Sequence, residues 1–221
     1  MRTITLLERQ KKNKARVSVY LDGEFAFGIN EMDAAMLRKG QQLSESEVDE
    51  LRQKDAIAKA FDAAATLLAY RPRSTQEVRQ RLLKKSFDDV VIDTAIEKLE
   101  RLGYLDDRAF ARFWIEDRNR FKPRGRRALS YELRNKGISD SLIQDLLDEL
   151  VNESDGAYEA AQKRVRSMRG KTQREFKKKI GAFLQRRGFG YEAVNNALNQ
   201  LIQEITDDDL SYFAEGESDW Y

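Results

Sequence analysis

Residues 78–99 read VRQRLLKKSFDDVVIDTAIEKL, and the same pattern of apolar and polar positions returns at residues 129–150 and 180–201. Each copy begins 51 residues after the previous one. The positions that stay apolar in every copy are Val78, Leu129 and Ile180; Leu82, Leu133 and Leu184; Ile92, Ile143 and Val194; Ile96, Leu147 and Leu198; and Leu99, Leu150 and Leu201. A fixed period of this length indicates repeated structural units, which bury their apolar faces against one another.

Helix-breaking residues recur with the same period. Pro72 and Pro123 are the only prolines in the chain, and they also stand 51 residues apart. A helix stop follows the central leucine of each copy, at Ser86-Phe87, Gly137-Ile138 and Gly188-Phe189. The third copy lacks the proline, and Thr172-x-x-Glu175 supplies a helix-starting capping box in its place. The pattern predicts three helices in each repeat.

These signals predict a mostly α-helical fold. Three tandem three-helix repeats form an elongated array, with a small N-terminal antiparallel β-hairpin sheet. The predicted divisions are an N-terminal extension at residues 1–54, repeats at 55–105, 106–152 and 153–205, and an acidic C-terminal tail at 206–221. Every charged residue after Leu201 is acidic, so we expect a frayed tail that ends in Trp220-Tyr221.

Alternating, β-branched residues predict three strands near the N-terminus, at Arg2–Leu7, Arg16–Leu21 and Glu24–Ile29. Asp22-Gly23 lies between the last two strands, and this dipeptide is favoured in hairpin turns whose two central residues have positive φ. The sheet is too small to persist alone and must pack on helices.

Three helices are predicted between this sheet and the first proline. Glu31–Lys39 reads as a short helix ended by Gly40, and a capping box at Ser44-x-x-Glu47 starts another at about Glu45–Gln53. A separate amphipathic helix at residues 55–70 opens the first repeat.

The composition limits the available chemistry. The 221 residues include no cysteine and no histidine, which excludes thiolate chemistry and the commonest general base and metal ligand. No glycine-rich phosphate-binding motif occurs, and Asp207-Asp208-Asp209 is better explained as a solvated acidic segment than as a metal site. We expect a protein that is not an enzyme and holds no metal or cofactor. No apolar run approaches the roughly 20 residues of a membrane span, and a cytoplasmic location is expected.

Positive charge is concentrated locally, although the formal net charge is only +2. Between Gly156 and Gly190 the chain carries eleven lysines and arginines against two glutamates, and further cations flank both prolines. Successive repeats would align these residues as one basic stripe. The candidate contact residues are Arg71, Arg73, Lys122, Arg124, Arg126, Arg127, Arg174, Lys177, Lys178, Arg186 and Arg187.

Such a stripe suits either the phosphate backbone of a nucleic acid or an acidic filament surface, with salt-dependent, sequence-independent affinity. The alternative is a solvated face on a charge-rich helical protein. Phe110, Phe113 and Trp114 could stack on bases, but they follow the i, i+3, i+4 spacing of a helix face that packs in a core. The sequence favours contact with a polyanion and predicts that these three aromatic residues pack in the core.

Three segments resemble a known family. The first comprises Gly103-Tyr104-Leu105-Asp106-Asp107, Phe110-Ala111, Trp114, Arg118, Gly125 and Glu132-Leu133-x-x-Lys136-Gly137-Ile138. The second is Arg71-x-Arg73-Ser74-x-x-Glu77-Val78-x-x-x-Leu82, and the third is the hairpin Arg16-Val17-Ser18-Val19-Tyr20-Leu21-Asp22-Gly23-Glu24. They resemble the central motif, the upstream motif and the N-terminal extension of RecX, the regulatory protein of the RecA recombinase.

The resemblance implies three tandem three-helix repeats, in agreement with the 51-residue period. It also implies a non-enzymatic, negative modulator in DNA repair, homologous recombination and the SOS response. Proteins of this kind bind RecA–DNA filaments along the helical groove and depress ATPase, strand-exchange and co-protease activities. The expected partners are the RecA filament and, weakly and without sequence preference, single- and double-stranded DNA, with the protein itself a monomer.

Two other functions are compatible with the residues. One is a stand-alone, sequence-independent nucleic-acid-binding helical module that has no protein target. The other is a nucleic-acid-processing enzyme, which the missing active-site residues disfavour.

Overall fold

The computed structural model describes residues 1–11 and 13–214, which fall into two compact units, Met1–Asp106 and a second unit that begins at Asp107. The strands are β1 Arg2–Arg9, β2 Arg16–Leu21, β3 Glu24–Asn30 and β4 Gln42–Leu43. The helices are α1 Glu31–Ala34, α2 Glu45–Tyr70, α3 Thr75–Leu83, α4 Asp89–Arg101, α5 Asp107–Phe121, α6 Arg126–Arg134, α7 Asp140–Leu150, α8 Glu153–Val165, α9 Gln173–Arg186 and α10 Tyr191–Asp208, with a 3₁₀ turn at Arg166–Met168. None of the helices in the described ranges is long and apolar enough to cross a membrane.

The N-terminal sheet is antiparallel, with strand order β3-β2-β1-β4. Asp22 and Gly23 have φ values of 51° and 89°, which confirms the predicted hairpin turn. The fourth strand, β4, was not predicted. It has two residues, paired with Arg2 and Thr3, and a segment so short shows no alternation that the sequence could reveal.

Helix α2 is continuous from Glu45 to Tyr70, so the predicted break between two helices near residue 54 is wrong. No glycine or proline interrupts this stretch. Asp55, at the expected junction, is buried and pairs with Arg16 of β2 at 2.5 Å and with Lys59 at 2.7 Å. One helix therefore serves two cores, since Val48 packs with the sheet and Ala60 packs with the first repeat.

The three predicted helical repeats are confirmed as α2–α4, α5–α7 and α8–α10. Leu82, Leu133 and Leu184 are each fully buried in the core of their own repeat. Of the fifteen repeated apolar positions, only Leu150, at the end of α7, is partly exposed. The spacing of the sequence therefore located the core of each repeat correctly.

The helix stops share one geometry. Ser86, Gly137 and Gly188 adopt left-handed φ values of 62°, 81° and 84°. The next residue then donates its N–H back to the carbonyl oxygen of Leu82, Leu133 or Leu184, at 3.4, 3.1 and 3.2 Å. This is the Schellman arrangement, which satisfies a carbonyl that a helix end would otherwise leave unpaired.

The frayed tail expected after Leu201 is wrong for the residues that the structure describes. Helix α10 continues to Asp208, and the following residues return to the third repeat. The Tyr212 hydroxyl donates to the carbonyl of Val165, and the Tyr212 carbonyl accepts from the N–H of Gly170 at 2.9 Å. Hydrogen bonds from Ser211, together with Arg169 at 2.7 Å, lower the pKa of the Asp209 carboxyl. Trp220 and Tyr221 lie outside the described residues.

Ser86 is the one helix stop of the three that carries a side chain in the left-handed region. A non-glycine residue there costs about 1–2 kcal/mol, which the greater entropy of an unfolded glycine partly offsets. We expect Ser86→Gly to stabilise the protein by about 0.5–1 kcal/mol, measured by urea unfolding. The reciprocal change Gly137→Ser should destabilise it by about as much. A loss of stability in Ser86→Gly would contradict this account of the stop.

Candidate interaction surface

Both candidate arginines at the proline break of the first repeat make contacts within that repeat. Arg71 forms an ion pair with Glu77 at 3.2 Å. Arg73 donates through Nε to the carbonyl of Leu67 at 3.1 Å, in the last turn of α2. Burial, followed by the charge of Arg71, lowers the pKa of Arg73. These two side chains hold the break itself, and the charge of Arg71 is already paired.

At the second break, two of the four candidates are also paired within the repeat. Arg124 lies 3.0 Å from Glu132, and Arg126 lies 2.5 Å from Asp148. Lys122 and Arg127 are exposed, and neither has an ion-pair partner among residues 1–11 and 13–214. The second repeat therefore offers two unpaired cations from the predicted set.

Glu132 also organises the aromatic residues of α5. It accepts a hydrogen bond from Trp114 Nε1 at 2.7 Å and pairs with Arg118 at 3.0 Å, while the Arg118 guanidinium lies 4.3 Å from the centre of the Trp114 ring. Phe110 is buried as predicted, and Trp114 is half-buried. Phe113 is 49% exposed, so its assignment to the core is wrong. Position i+3 lies at the edge of the face that α5 turns toward α7, and sequence spacing does not show how wide that face is.

The second and third repeats meet at glycines. The N–H of Gly125 donates to the carbonyl of Arg187 at 3.0 Å, and a methyl group added at Gly125 would overlap the backbone of Gly188. Arg187 Nη1 donates to the carbonyl of Pro123 at 3.2 Å. This joint could not be predicted from the sequence, because the pattern explained Gly125 and Gly188 only as residues at helix ends.

Glu153, the first residue of α8, fastens the same joint. Its Oε1 accepts from the backbone N–H of Arg126 at 3.1 Å and from that of Gly190 at 3.0 Å. These donors lie at the N-terminal ends of α6 and α10, where backbone N–H groups lack partners within the helix and favour negative charge.

Four of the candidate cations lie on helix α9. Arg174, Lys177, Lys178 and Arg186 are all exposed on this helix. Within the described part of the chain, Lys177, Lys178 and Arg186 have no carboxylate partner. Lys179 and Arg164, which were not among the candidates, are exposed and lack one as well. Ion pairs thus neutralise Arg71, Arg124 and Arg126 in the first two repeats, whereas Lys177, Lys178 and Arg186 of the third repeat have no carboxylate partner among the described residues.

Arg187 is the exception on this side of the third repeat, because it is half-buried. Its guanidinium lies 4.6 Å from the centre of the Phe183 ring, and that of Arg164 lies 4.3 Å from the same ring. Burial, followed by the charges of Arg124 and Arg164, lowers the pKa of Arg187. The guanidinium groups of Arg164 and Arg187 are thus held on one ring, an arrangement that attracts an anion.

Arg71 and Arg73 belong to one compact unit and the remaining candidates to the other. The single stripe along all three repeats, and the matching orientation of the two proline breaks, therefore stay predictions. Within the second unit, the fold brings Arg124 and Arg187 together at the joint between repeats.

Four family models together match most of the chain. Residues 2–44 match the N-terminal domain of regulatory protein RecX, and residues 60–99, 106–147 and 152–198 match the first, second and third three-helix domains of RecX. Proteins named regulatory protein RecX are similar over most of their length. The one from Lactobacillus johnsonii is 35% identical over 95% of this chain and 78% of its own, and the one from Bacillus subtilis is 32% identical over 93% and 79%.

Solved structures show the same fold. A crystal structure of regulatory protein RecX aligns with a TM-score of 0.72 at 26% identity, covering 92% of this chain and all of that one. The crystal structure of RecX from Lactobacillus salivarius aligns with a TM-score of 0.63 at 24% identity, covering 67% of this chain and 98% of that one.

The joint between the second and third repeats predicts an effect on stability. Glu153→Ala removes the acceptor of two backbone N–H groups at helix starts, and we expect a loss of about 1–2 kcal/mol in urea unfolding. Glu159→Ala is the matched control, because Glu159 lies on the same helix and is exposed. It should change stability by less than about 0.5 kcal/mol. Equal effects of the two changes would show that Glu153 does not fasten the joint.

Proposed function

The chain belongs to the RecX family of regulatory proteins, and from this membership we propose that it is a non-enzymatic, negative modulator of the RecA recombinase. It binds RecA–DNA filaments along their helical groove and depresses the ATPase, strand-exchange and co-protease activities of RecA. In this role it acts as a monomer in the cytoplasm, within homologous recombination, DNA repair and the SOS response.

The observation that carries the proposal is the set of unpaired cations on α9. Lys177, Lys178 and Arg186 are exposed and lack a carboxylate partner among the described residues, whereas Arg71, Arg124 and Arg126 have one. In a chain with 38 acidic residues, many arginines form ion pairs, so three cations of one helix that lack a carboxylate among the described residues are suited to negative charge supplied by a partner.

A tandem array suits a filament for a geometric reason. A helical filament presents the same subunit surface again and again, so successive repeats of one chain can engage successive sites. Each further contact then forms at the high effective concentration that the first contact creates, and total affinity rises beyond that of any single repeat.

The same cations also favour a second candidate, a stand-alone helical module that binds nucleic acid without sequence preference. Contacts between lysine or arginine and phosphate supply most of such binding and make it depend steeply on salt. The two functions differ in their dependence on RecA. The module would bind bare DNA as tightly as it binds a RecA–DNA filament.

The experiment is a titration of RecA's DNA-dependent ATPase with the full chain at two salt concentrations. The test variant is Lys177→Glu/Lys178→Glu, and the matched control is Lys84→Glu/Lys85→Glu, an adjacent pair of exposed lysines after α3 in the first repeat. We expect the α9 variant to need about ten times more protein for half-inhibition and to lose part of its salt dependence. The control should inhibit as the parent does.

Circular dichroism of both variants should match the parent, because single exposed charges change stability by less than about 0.5 kcal/mol. If the α9 variant inhibits at the parent's concentration and salt dependence, its lysines are only a solvated face. If the parent binds bare DNA as tightly as filaments and leaves the ATPase unchanged, the stand-alone module is the correct function.

A further inference from the structure

Two grooves run along helix α8 of the third repeat, and they differ in charge. One, of about 560 Å³, lies between α8 and α10, where Lys163 and Arg166 face Glu204 and Asp208. The other, of about 520 Å³, lies between the C-terminal end of α8 and α9. We call the second one the α8–α9 groove.

The α8–α9 groove is strongly basic. Its charged lining consists of Arg164, Lys178, Lys179, Arg186 and a single acid, Glu175. The Glu175 carboxylate accepts a hydrogen bond from the backbone N–H of Thr172 at 3.3 Å as part of the capping box that starts α9. The four cations have no carboxylate partner in the described ranges, so the α8–α9 groove favours an anion. The groove between α8 and α10 is instead lined by equal numbers of basic and acidic side chains.

The floor of the α8–α9 groove is apolar, with Met168, Ile180 and Phe183 among its lining. The Arg164 guanidinium lies over the Phe183 ring, 4.3 Å from its centre. Arginine planes and aromatic rings are the surfaces on which unpaired bases stack, and a guanidinium seated on a ring is restrained in position. The groove therefore combines a stacking surface with cations on its rim.

We propose that the α8–α9 groove is a binding site for single-stranded DNA, in which one base stacks on Arg164 over Phe183 while flanking phosphates contact Lys178, Lys179 and Arg186. The site rests on the proposed function in that it names the part of the protein that touches DNA. It also assigns the third repeat a preference for single strands, which a basic stripe alone does not provide.

The chemistry of the groove selects this ligand over two others. A DNA duplex keeps its bases paired inside the helix and offers the groove only phosphates, so it leaves the apolar floor in contact with water. An acidic peptide supplies carboxylates but no planar base for the Arg164 surface. A single strand supplies both phosphates and free bases.

The test measures binding of the full chain to fluorescent oligothymidylate of about 15 nucleotides by anisotropy, beside an abasic strand of equal length and a duplex. Arg164→Gln is compared with Arg166→Gln, which removes the same charge two residues away in the balanced groove. We expect Arg164→Gln to weaken oligothymidylate binding about tenfold and Arg166→Gln to leave it within about twofold. The parent should bind oligothymidylate more tightly than either the abasic strand or the duplex.

Two charge-neutral variants test insertion of the base directly. Ala182→Trp and Ser167→Trp fill the α8–α9 groove from opposite sides, because both residues line it. In either variant that keeps the parent's circular dichroism, affinity for oligothymidylate should fall to that for the abasic strand. If both variants bind oligothymidylate as the parent does, or if polyglutamate competes as well as the oligonucleotide, the groove does not hold a base and the proposal is overturned.

The RecA ATPase assay separates this proposal from the proposed function. A parent chain that binds oligothymidylate in the groove but leaves RecA unaffected supports the site and contradicts the regulatory role. If instead Arg164→Gln binds oligothymidylate as the parent does while the parent inhibits RecA, the site is wrong and the regulatory role stands.

Discussion

Each repeat depends on one hydrogen bond at the end of its second helix. The carbonyl of Leu82, Leu133 or Leu184 accepts the N–H of the residue that follows a left-handed turn, so the chain reverses within a single residue. The same leucine buries its side chain in the core of its repeat. One residue therefore fixes both where the second helix ends and what the third helix packs upon, which explains why leucine stands at this position in all three copies.

The left-handed residue acquires a second role in the third repeat. A Cβ at Gly188 would lie 2.5 Å from the backbone nitrogen of Ala128, so only glycine allows the second and third repeats to approach this closely. The side chain of Ser86 in the first repeat is exposed. The joint places Pro123 and Arg187 together and supports α9 from one side. A motif that serves local geometry in one repeat thus serves packing between repeats in another.

The distribution of ion pairs, rather than the number of cations, distinguishes the surface charge of the repeats. The first two repeats pair several of their arginines with their own carboxylates, at Glu77, Glu132 and Asp148. The third repeat concentrates lysine and arginine on α9 and α8, where few acids lie near. An exposed pair contributes little to stability, but it removes a charge from what the surface offers a partner. The scaffold is repeated, whereas the pairing of the candidate cations differs from repeat to repeat.

The sequence by itself determined the three-helix repeats, their buried leucines and the hairpin turn at Asp22-Gly23, because these follow from local backbone preference and from the period of a helix. It did not determine the continuity of α2, where buried Asp55 pairs with Arg16 from a distant strand, or the return of Tyr212 onto the third repeat. It also did not distinguish Arg124, which is paired, from Lys178, which has no carboxylate partner in the part of the chain that the structure describes. Tertiary structure alone decided these points, because whether a charge is neutralised or a segment is held depends on groups that lie far away in the chain and meet only in the folded protein.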